Sequence, residues 1–278
     1  MSIEELIQKA LDEDLGTGDH TSLATVPETT VGKSVMMAKE AGIVAGTEVA
    51  RMVFEAVDPE LEISLFKKDG EDIKPGEIIM EIQGKTLAML SAERTALNFI
   101  QRMSGIATFT HKVTQKIEGL NTRLLDTRKT TPCNRLVEKM AVKAGGGENH
   151  RFGLYDMIMI KDNHIDFAGG VKPAIEKVKS YLKNNNLDLK IEIEARNFEE
   201  LNEILEFGGI DRIMLDNFSP ADMKKGLEMI AKRYETEASG GINLENIRAY
   251  AETGVDYISV GALTHQIKSL DISLLAVV

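Results

Sequence analysis

Charged or glycine-rich residues follow short apolar runs at six places in the second half of the chain. Such runs are typical of β-strands, and parallel strands present the residues at their carboxyl ends on one edge of a sheet. We therefore expect the residues after these runs to line one site. The runs lead into Asp126-Thr127-Arg128-Lys129, Lys161-Asp162-Asn163-His164, Glu194-Ala195-Arg196, Asp216-Asn217, Ser239-Gly240-Gly241 and Gly261-Ala262.

Two carboxylates, Glu194 and Asp216, follow neighbouring predicted strands. Carboxylates placed in this way can share a Mg²⁺, directly or through water. A structural partnership between one carboxylate and a nearby lysine is the alternative. Zinc is disfavoured because the histidines are scattered and the single cysteine, Cys133, lies in no ligand pattern.

Basic residues are concentrated between Asp126 and His164. This stretch contains seven Lys or Arg and five Asp or Glu, which gives +2, whereas the whole chain carries −11. The acidic total argues against general binding to nucleic acid or to a membrane surface. The basic stretch instead indicates a small anionic ligand. We expect Lys139 and Lys143 to lie on a solvated helix face.

The basic residues suit two kinds of anion. Guanidinium groups bind planar carboxylates through two parallel hydrogen bonds, so Arg128 and Arg151, together with His150, could form a carboxylate site. Lys129 and Lys161 are point charges suited to phosphate or pyrophosphate. Glycines after the last two runs favour phosphate binding by backbone N–H groups, although tight turns alone would also explain them.

The alternation of strands and helices predicts a βα barrel from residue 124 onward. After the second run, successive strands lie roughly 20 to 35 residues apart, which leaves room for a helix and two loops. Helices are expected at 135–144, 170–184, 198–207, 220–234 and 244–253. Asn243 is expected to be the N-cap of the last helix.

The first hundred residues lack this alternation and predict an α+β module. Strands are expected at 35–39, 62–66 and 78–82, and a helix at 46–57. A longer helix is expected at 91–117, with Ser91 as its N-cap and Leu97, Ile100 and Met103 on its buried face. Arg94 and Arg102 of this helix are expected to be solvated.

Cellular location is indicated by two features of the sequence. A single cysteine excludes an internal disulfide framework and fits a reducing cytoplasm. No apolar run approaches the roughly 20 residues that span a bilayer, and the first residues do not resemble a signal peptide. We therefore expect a cytoplasmic protein.

Long motifs in this chain resemble those of the quinolinate phosphoribosyltransferase family. The resemblance covers nearly the whole chain. It is carried by Asp126-Thr127-Arg128-Lys129-Thr130-Thr131-Pro132, Gly145-Gly146-Gly147-Glu148-Asn149-His150-Arg151, Lys161-Asp162-Asn163-His164, Glu13-Asp14-Leu15-Gly16, Gly18-Asp19-His20-Thr21, Ala92-Glu93-Arg94-Thr95, Leu215-Asp216-Asn217, Ser239-Gly240-Gly241 and Val260-Gly261-Ala262-Leu263-Thr264-His265.

The resemblance implies an α/β fold with an incomplete βα barrel of about seven strands at 106–265. It also implies an N-terminal α/β sandwich domain at 1–105, which the C-terminal segment 266–278 joins. A homodimer, or an assembly of dimers, is implied, with each active site completed by the partner subunit.

The activity implied by the resemblance is transfer of phosphoribosyl from phosphoribosyl pyrophosphate to quinolinate, with Mg²⁺, in NAD synthesis. The products would be nicotinate mononucleotide, pyrophosphate and CO₂. The residues implied to surround quinolinate are Arg94 of the other subunit, Arg128, His150, Arg151 and Lys161. Those implied to hold phosphoribosyl pyrophosphate are Lys129, Glu194, Asp216, Ser239, Gly240, Gly241, Gly261 and His265. The implied catalytic residues are Lys129, Lys161, Glu194 and Asp216, of which the last two would bind the metal.

One departure from the family pattern follows Pro132, where many members have glycine and this chain has Cys133. A side chain there would alter the loop slightly. Two other enzymes remain open: a relative associated with molybdenum transport that acts on another base, and a Schiff-base aldolase that uses Lys161. A non-catalytic anion sensor or subunit-interaction protein is a further alternative, which would not require both Glu194 and Asp216.

Overall fold

The computed structural model describes residues 1–277, which contain twelve strands and eleven helices. The strands are β1 Val31–Ala38, β2 Gly42–Ile43, β3 Glu62–Leu65, β4 Asp72–Ile73, β5 Ile78–Lys85, β6 Arg123–Leu125, β7 Ile158–Ile160, β8 Ile191–Ala195, β9 Arg212–Asp216, β10 Glu235–Ser239, β11 Tyr257–Ser259 and β12 Ile272–Val277. The helices are α1 Ile3–Leu15, α2 His20–Thr25, α3 Thr47–Val57, α4 Thr86–Lys116, α5 Arg135–Ala144, α6 Asp162–Ala168, α7 Val171–Asn185, α8 Phe198–Phe207, α9 Pro220–Ile230, α10 Ile247–Ala251 and α11 Ala262–His265.

The chain forms two compact units. The first comprises residues 1–111, 130–147 and the described residues from Leu263 onward. The second comprises residues 112–129 and 148–262. Among the described residues, no helix is both long enough and apolar enough to cross a membrane.

The first unit contains an antiparallel sheet with the strand order β12-β1-β5-β3. Met36 of β1 pairs with Met80 of β5, and both side chains are fully buried. The three strands predicted here are confirmed, but β1 begins earlier and β5 ends later than predicted. Their pairing continues to Val31 and Lys85, where exposed side chains hide the strands from a hydrophobicity pattern.

The long helix α4 buries Leu97, Ile100 and Met103, as predicted. The prediction that it begins at Ser91 was wrong, because α4 begins at Thr86, directly after β5. Ala88 and Met89 are buried in the first turns, so apolar packing extends the helix beyond the capping signal.

The prediction that the Arg102 side chain of α4 is solvated was wrong. The Arg102 side chain donates to Glu138 at 2.9 Å, to Thr131 at 3.2 Å and to the carbonyl of Thr264 at 2.8 Å. Glu138 is fully buried and also accepts from the Thr131 amide. A buried carboxylate without a compensating charge would destabilise the folded state. Arg102 supplies this charge to Glu138, which in turn holds the loop before α5 through the Thr131 amide.

Lys143 of helix α5 is exposed, as predicted, but the prediction of a solvated Lys139 was wrong. Lys139 is only 2% exposed. The end of α5 lies tightly against α4: a Cβ at Gly145 would come within 2.4 Å of the Ala107 carbonyl oxygen. The burial of Lys139 is therefore not visible in the charge pattern of α5.

Cys133 is exposed and has φ = 66°, a left-handed backbone that glycine adopts without steric cost. We therefore expect Cys133→Gly to preserve activity and to raise the free energy of unfolding by up to about 1 kcal/mol. Urea denaturation of both proteins measures the change. Cys133→Ala is the control, since it removes the thiol and retains the Cβ. A greater gain from Cys133→Ala would contradict the backbone explanation.

The second unit is built on a parallel sheet with the order β6-β11-β10-β9-β8-β7. The first strand of this sheet in chain order, β6, therefore pairs with its last, β11, as in a barrel that is open between β6 and β7. Glu148 adds a single parallel bridge to Leu125 on the other side of β6. Six strands and this bridge match the predicted incomplete barrel of about seven strands.

Helices at 135–144 and 198–207 are confirmed to the residue, and α7 differs from its prediction by one residue at each end, whereas the predicted bounds of α9 and α10 were wrong by more. Helix α9 ends at Ile230 because Ala231 and Lys232 adopt left-handed backbone conformations. Helix α10 begins at Ile247, and its N-cap is Asn246. Asn243 instead accepts from the Glu245 amide at 2.9 Å and closes a turn before the helix.

Candidate active site

The carboxyl ends of the parallel strands bring five of the predicted site residues to one edge of the second unit. Asp216 and Ser239 are the last residues of β9 and β10, and Glu194 is the next-to-last residue of β8. Lys161 directly follows β7, and Gly261 lies shortly after β11. The prediction that polar residues gather at the carboxyl-terminal edge of the parallel sheet is therefore confirmed for these five residues.

Glu194 and Asp216 form an acidic pair on neighbouring strands. Burial and the Asp216 carboxylate raise the pKa of Glu194, and the positive charge of Lys161 partly opposes this rise. A divalent cation between the two carboxylates would relieve their repulsion. The two oxygen donors fit Mg²⁺, which commonly binds one or two protein carboxylates together with substrate phosphates.

Arg128 and Arg151 form a basic pair in the same unit. Burial and the nearby charge of Arg128 lower the pKa of Arg151, so the two guanidinium groups repel each other. Arg151 is half-buried and donates to the Met157 carbonyl at 3.3 Å. Two guanidinium groups held together in this way favour an anion with more than one carboxylate.

His150 directly precedes Arg151 in the chain and is buried. Its Nε2 atom lies 3.1 Å from Glu192 and 3.2 Å from Glu237. Burial opposes a charge on the ring, but the hydrogen bonds to both carboxylates outweigh it and raise the pKa of His150 to about 9.

The other ring nitrogen of His150, Nδ1, accepts from the Arg151 amide at 2.6 Å. The raised pKa favours a proton on both ring nitrogens, whereas the amide requires a lone pair on Nδ1. We favour a ring protonated on Nε2 alone, because two N–H donors cannot face each other at 2.6 Å. In either protonation state of the ring, Nε2 carries a proton that faces the two carboxylates.

Glu192 and Glu237 were missed by the sequence analysis. Both are fully buried, and burial together with the nearby Glu237 raises the pKa of Glu192. The signal that could have found them is the two-residue period of strands. Glu192 and Glu194 share one face of β8, as Glu237 and Ser239 share one face of β10.

The glycine-rich turn after β10 lies against the turn after β9. Gly240 has φ = 94°, and a Cβ there would lie 2.2 Å from the Asn217 side chain. Gly241 also has a left-handed backbone, but its Cβ position is open. The turn therefore requires glycine at Gly240 for both backbone conformation and close approach, and at Gly241 for backbone conformation.

Lys161 is the N-cap of the short helix α6, which the sequence analysis did not predict. His164 accepts from the Lys161 amide through Nδ1 at 2.9 Å. His164 therefore has a local hydrogen-bonding role at the start of this helix. It also holds the backbone from which the exposed Lys161 side chain extends.

Three other predicted residues are exposed. Lys129 lies in the second unit, where its amide donates to Thr127 at 3.0 Å. Arg94 and His265 lie in the first unit, on α4 and at the end of α11. Their predicted roles in ligand binding stay predictions.

Two family models match the chain. The model for the quinolinate phosphoribosyl transferase N-terminal domain matches residues 19–104, and the model for the C-terminal domain matches residues 106–275. The chain belongs to the quinolinate phosphoribosyltransferase family. These matches leave only short segments of the chain outside the family models.

Individual relatives of this phosphoribosyltransferase family agree with the models. A Nicotiana glauca protein named quinolinate phosphoribosyltransferase (decarboxylating) 2, mitochondrial, is 46% identical and aligns with 98% of this chain and 81% of its own. A Bacillus subtilis protein named probable nicotinate-nucleotide pyrophosphorylase (carboxylating) is 43% identical over 99% of this chain and 93% of its own. The crystal structure of NadC from Streptococcus pyogenes has a TM-score of 0.93 at 38% identity and covers 99% of this chain and 97% of its own.

Proposed function

We propose that this chain transfers the phosphoribosyl group of phosphoribosyl pyrophosphate to quinolinate. The products are nicotinate mononucleotide, pyrophosphate and CO₂, as required for de novo NAD synthesis. One observation carries the proposal: a guanidinium pair, Arg128 and Arg151, and an acidic pair, Glu194 and Asp216, belong to the same compact unit. The first pair suits a dicarboxylate, and the second suits a metal-bound pyrophosphate sugar.

The first step forms a bond between the quinolinate nitrogen and C1 of the ribose. The bond from C1 to the pyrophosphate oxygen breaks, and pyrophosphate takes the electron pair. Positive charge develops on the ribose, where Glu194 or Asp216 can offset it. In this proposal Lys129 stabilises the negative charge of the leaving pyrophosphate. A Mg²⁺ held by Glu194 and Asp216 would neutralise further negative charge on the same group.

The second step breaks the bond between the pyridinium ring and the carboxylate next to its nitrogen. The electron pair of this bond moves to the ring carbon, where the cationic nitrogen stabilises it, and a proton from solvent then completes the product. Arg128, Arg151 and Lys161 would hold the dicarboxylate, with Arg94 of the partner subunit. The protein therefore contributes alignment and charge placement and needs no organic cofactor.

The two enzyme alternatives are not favoured. A Schiff-base lysine must lose its proton in a desolvated site, whereas Lys161 is exposed and lies beside the Glu194 carboxylate. The relatives described above are named for quinolinate or nicotinate nucleotides, and none is named for molybdenum transport.

Substrate discrimination tests the proposed function directly. Purified protein receives phosphoribosyl pyrophosphate and Mg²⁺ with either quinolinate or nicotinate, and nucleotide and CO₂ are measured. We expect both products from quinolinate and none from nicotinate. Absence of turnover with quinolinate, from folded protein, would overturn the proposal.

Glu194→Gln is expected to reduce kcat by about 10²-fold or more, because it removes one metal ligand and one transition-state charge. The same change should leave the melting temperature unchanged or raise it. Folding raises the pKa of this carboxyl, so its ionisation costs stability as pH rises, and a neutral amide avoids that cost. Glu203→Gln, on an exposed position of α8, is the control. Wild-type rates at all Mg²⁺ concentrations would remove Glu194 from the mechanism.

The assembly and location belong to the same proposal. A homodimer, or an assembly of dimers, is proposed because the family resemblance implies that Arg94 enters the partner's site. A cytoplasmic location is proposed from the single cysteine, which is exposed and suits a reducing compartment.

A further inference from the structure

Asn217 directly follows Asp216 at the end of β9, and its backbone is left-handed, with φ = 58°. In this conformation the side chain of any residue except glycine crowds its own backbone, although asparagine tolerates it better than most. Residues held in such conformations are concentrated at functional sites. An exposed asparagine with this backbone, next to the acidic pair, is therefore a candidate for a role in the site.

The Asn217 side chain contacts the Asp216 carboxylate. Its Nδ2 atom donates to Oδ2 of Asp216 at 2.5 Å. An ionised carboxylate only accepts hydrogen bonds, so this contact also fixes which end of the Asn217 amide faces Asp216. One N–H group engages one of the lone pairs of Asp216 and leaves the others for a cation. The hydrogen bond therefore orients the carboxylate before a ligand arrives.

The other end of the same amide lies against the glycine-rich turn after β10. A Cβ at Gly240 would come within 2.2 Å of Oδ1 and 2.6 Å of Cγ of Asn217, so the turn makes room for this side chain by having none of its own. The Asn217 main-chain amide also donates to the Ser239 carbonyl at 2.9 Å. Asn217 is thus held by the neighbouring turn while it holds Asp216.

Glu194, the other carboxylate of the acidic pair, is held by the main chain instead. It accepts from the backbone amide of Asp162, at the start of α6. No ordinary side-chain substitution removes that donor, whereas the donor to Asp216 belongs to a side chain. Divalent cations that bind through few protein carboxylates depend on how these are oriented. The contact from Asn217 is therefore the part of this support that a single substitution can test.

We propose that Asn217 is a positioning residue that orients the Asp216 carboxylate for phosphoribosyl pyrophosphate with its Mg²⁺. The inference rests on the proposed function and adds one residue to it. Removal of a hydrogen bond that supports a metal ligand typically lowers metal affinity by about 10- to 100-fold. The effect should appear in the binding of phosphoribosyl pyrophosphate and not in that of quinolinate, because Arg128 and Arg151 are untouched.

Asn217→Gly separates the role of the amide from that of the backbone. Glycine adopts φ = 58° without strain, so the turn is retained while the donor to Asp216 is lost. Calorimetry measures the binding of phosphoribosyl pyrophosphate in the presence of Mg²⁺ and phthalate, which has two adjacent carboxylates but lacks the attacking nitrogen. We expect the dissociation constant to rise about tenfold and the melting temperature to stay near wild type. Wild-type affinity in this variant would overturn the proposal, because the residue would then serve the backbone alone.

Asn186→Gly is the matched control. Asn186 is also exposed and left-handed, with φ = 52°, and it ends α7 a few residues before β8 begins. The same substitution there should leave the dissociation constant and both KM values unchanged. Asn217→Gly should raise KM for phosphoribosyl pyrophosphate about tenfold and KM for quinolinate less than about twofold. An equal rise in both KM values would contradict the proposal.

A crystal structure of wild-type protein with phthalate, Mg²⁺ and phosphoribosyl pyrophosphate tests the contact without any substitution. We expect Nδ2 of Asn217 to keep its hydrogen bond to Asp216 in this complex. An amide turned away from Asp216 would overturn the proposal, whether or not the variants fold. Failure of folded wild-type protein to use quinolinate would sink the proposed function instead. Turnover by wild-type protein, together with unchanged binding by Asn217→Gly, would sink this inference alone.

Discussion

Arg151→Ala is expected to raise KM for quinolinate by about 10²- to 10³-fold, which corresponds to about 3–4 kcal/mol. Arg151 is half-buried beside Arg128, in a place where water screens charge poorly. Its removal leaves Arg128 without the second guanidinium of this pair, so the two carboxylates of the ligand lose one of their bidentate partners. KM for phosphoribosyl pyrophosphate should change little, because the acidic pair and the glycine turn are untouched.

Arg233→Ala is the matched control for this prediction. Arg233 is exposed and donates to backbone carbonyls at the end of α9, including that of Ile230 at 3.2 Å. Its loss removes the same positive charge from the same unit and should leave both KM values near wild type. An unchanged KM for quinolinate in folded Arg151→Ala protein would remove Arg151 from the dicarboxylate site.

Mixing Arg94→Ala protein with Lys161→Ala protein is expected to restore activity that each variant lacks alone. If Arg94 enters the partner's site, a hybrid dimer has one site with both residues and one site with neither. Random exchange makes half of the dimers hybrids, so activity should recover to about a quarter of wild type. The exposed position of Arg94 on α4 is compatible with a contact to a second copy of the chain.

Subunit exchange must be verified in that mixture, for example by native mass spectrometry of proteins with different tags. A mixture of Arg94→Ala with Arg94→Ala/Lys161→Ala is the control, because none of its dimers has a complete site. No recovery after verified exchange would place Arg94 outside a shared site.

The positions of most catalytic candidates could be predicted from sequence because strand ends are visible as apolar runs that stop at polar residues. Lys161, Asp216 and Ser239 lie at such ends, as expected. The barrel itself was predictable for the same reason, since a regular alternation of strands and helices leaves few topologies. Resemblance to the family supplied the chemistry, which spacing alone left open between several anion-binding enzymes.

The buried polar interior was not predictable by the same means. Glu192 alternates with Ile191 and Ile193, a pattern that usually marks a solvated strand face. A strand of a parallel barrel is covered on both faces, so this carboxylate is buried instead. Lys139 and Arg102 were misjudged for a related reason: a long charged side chain gives no sequence signal when packing buries it or an ion pair holds it against the protein.

The pairing of β12 with β1 has a consequence for how the protein is made. These strands are roughly 240 residues apart in the chain, so their contacts raise the contact order of the first unit. A nascent chain must carry β1 with one neighbour missing while the whole second unit is synthesised and can already fold. Until β12 arrives, an unpaired strand edge is open to other chains, and this interval is where a chaperone would be needed most.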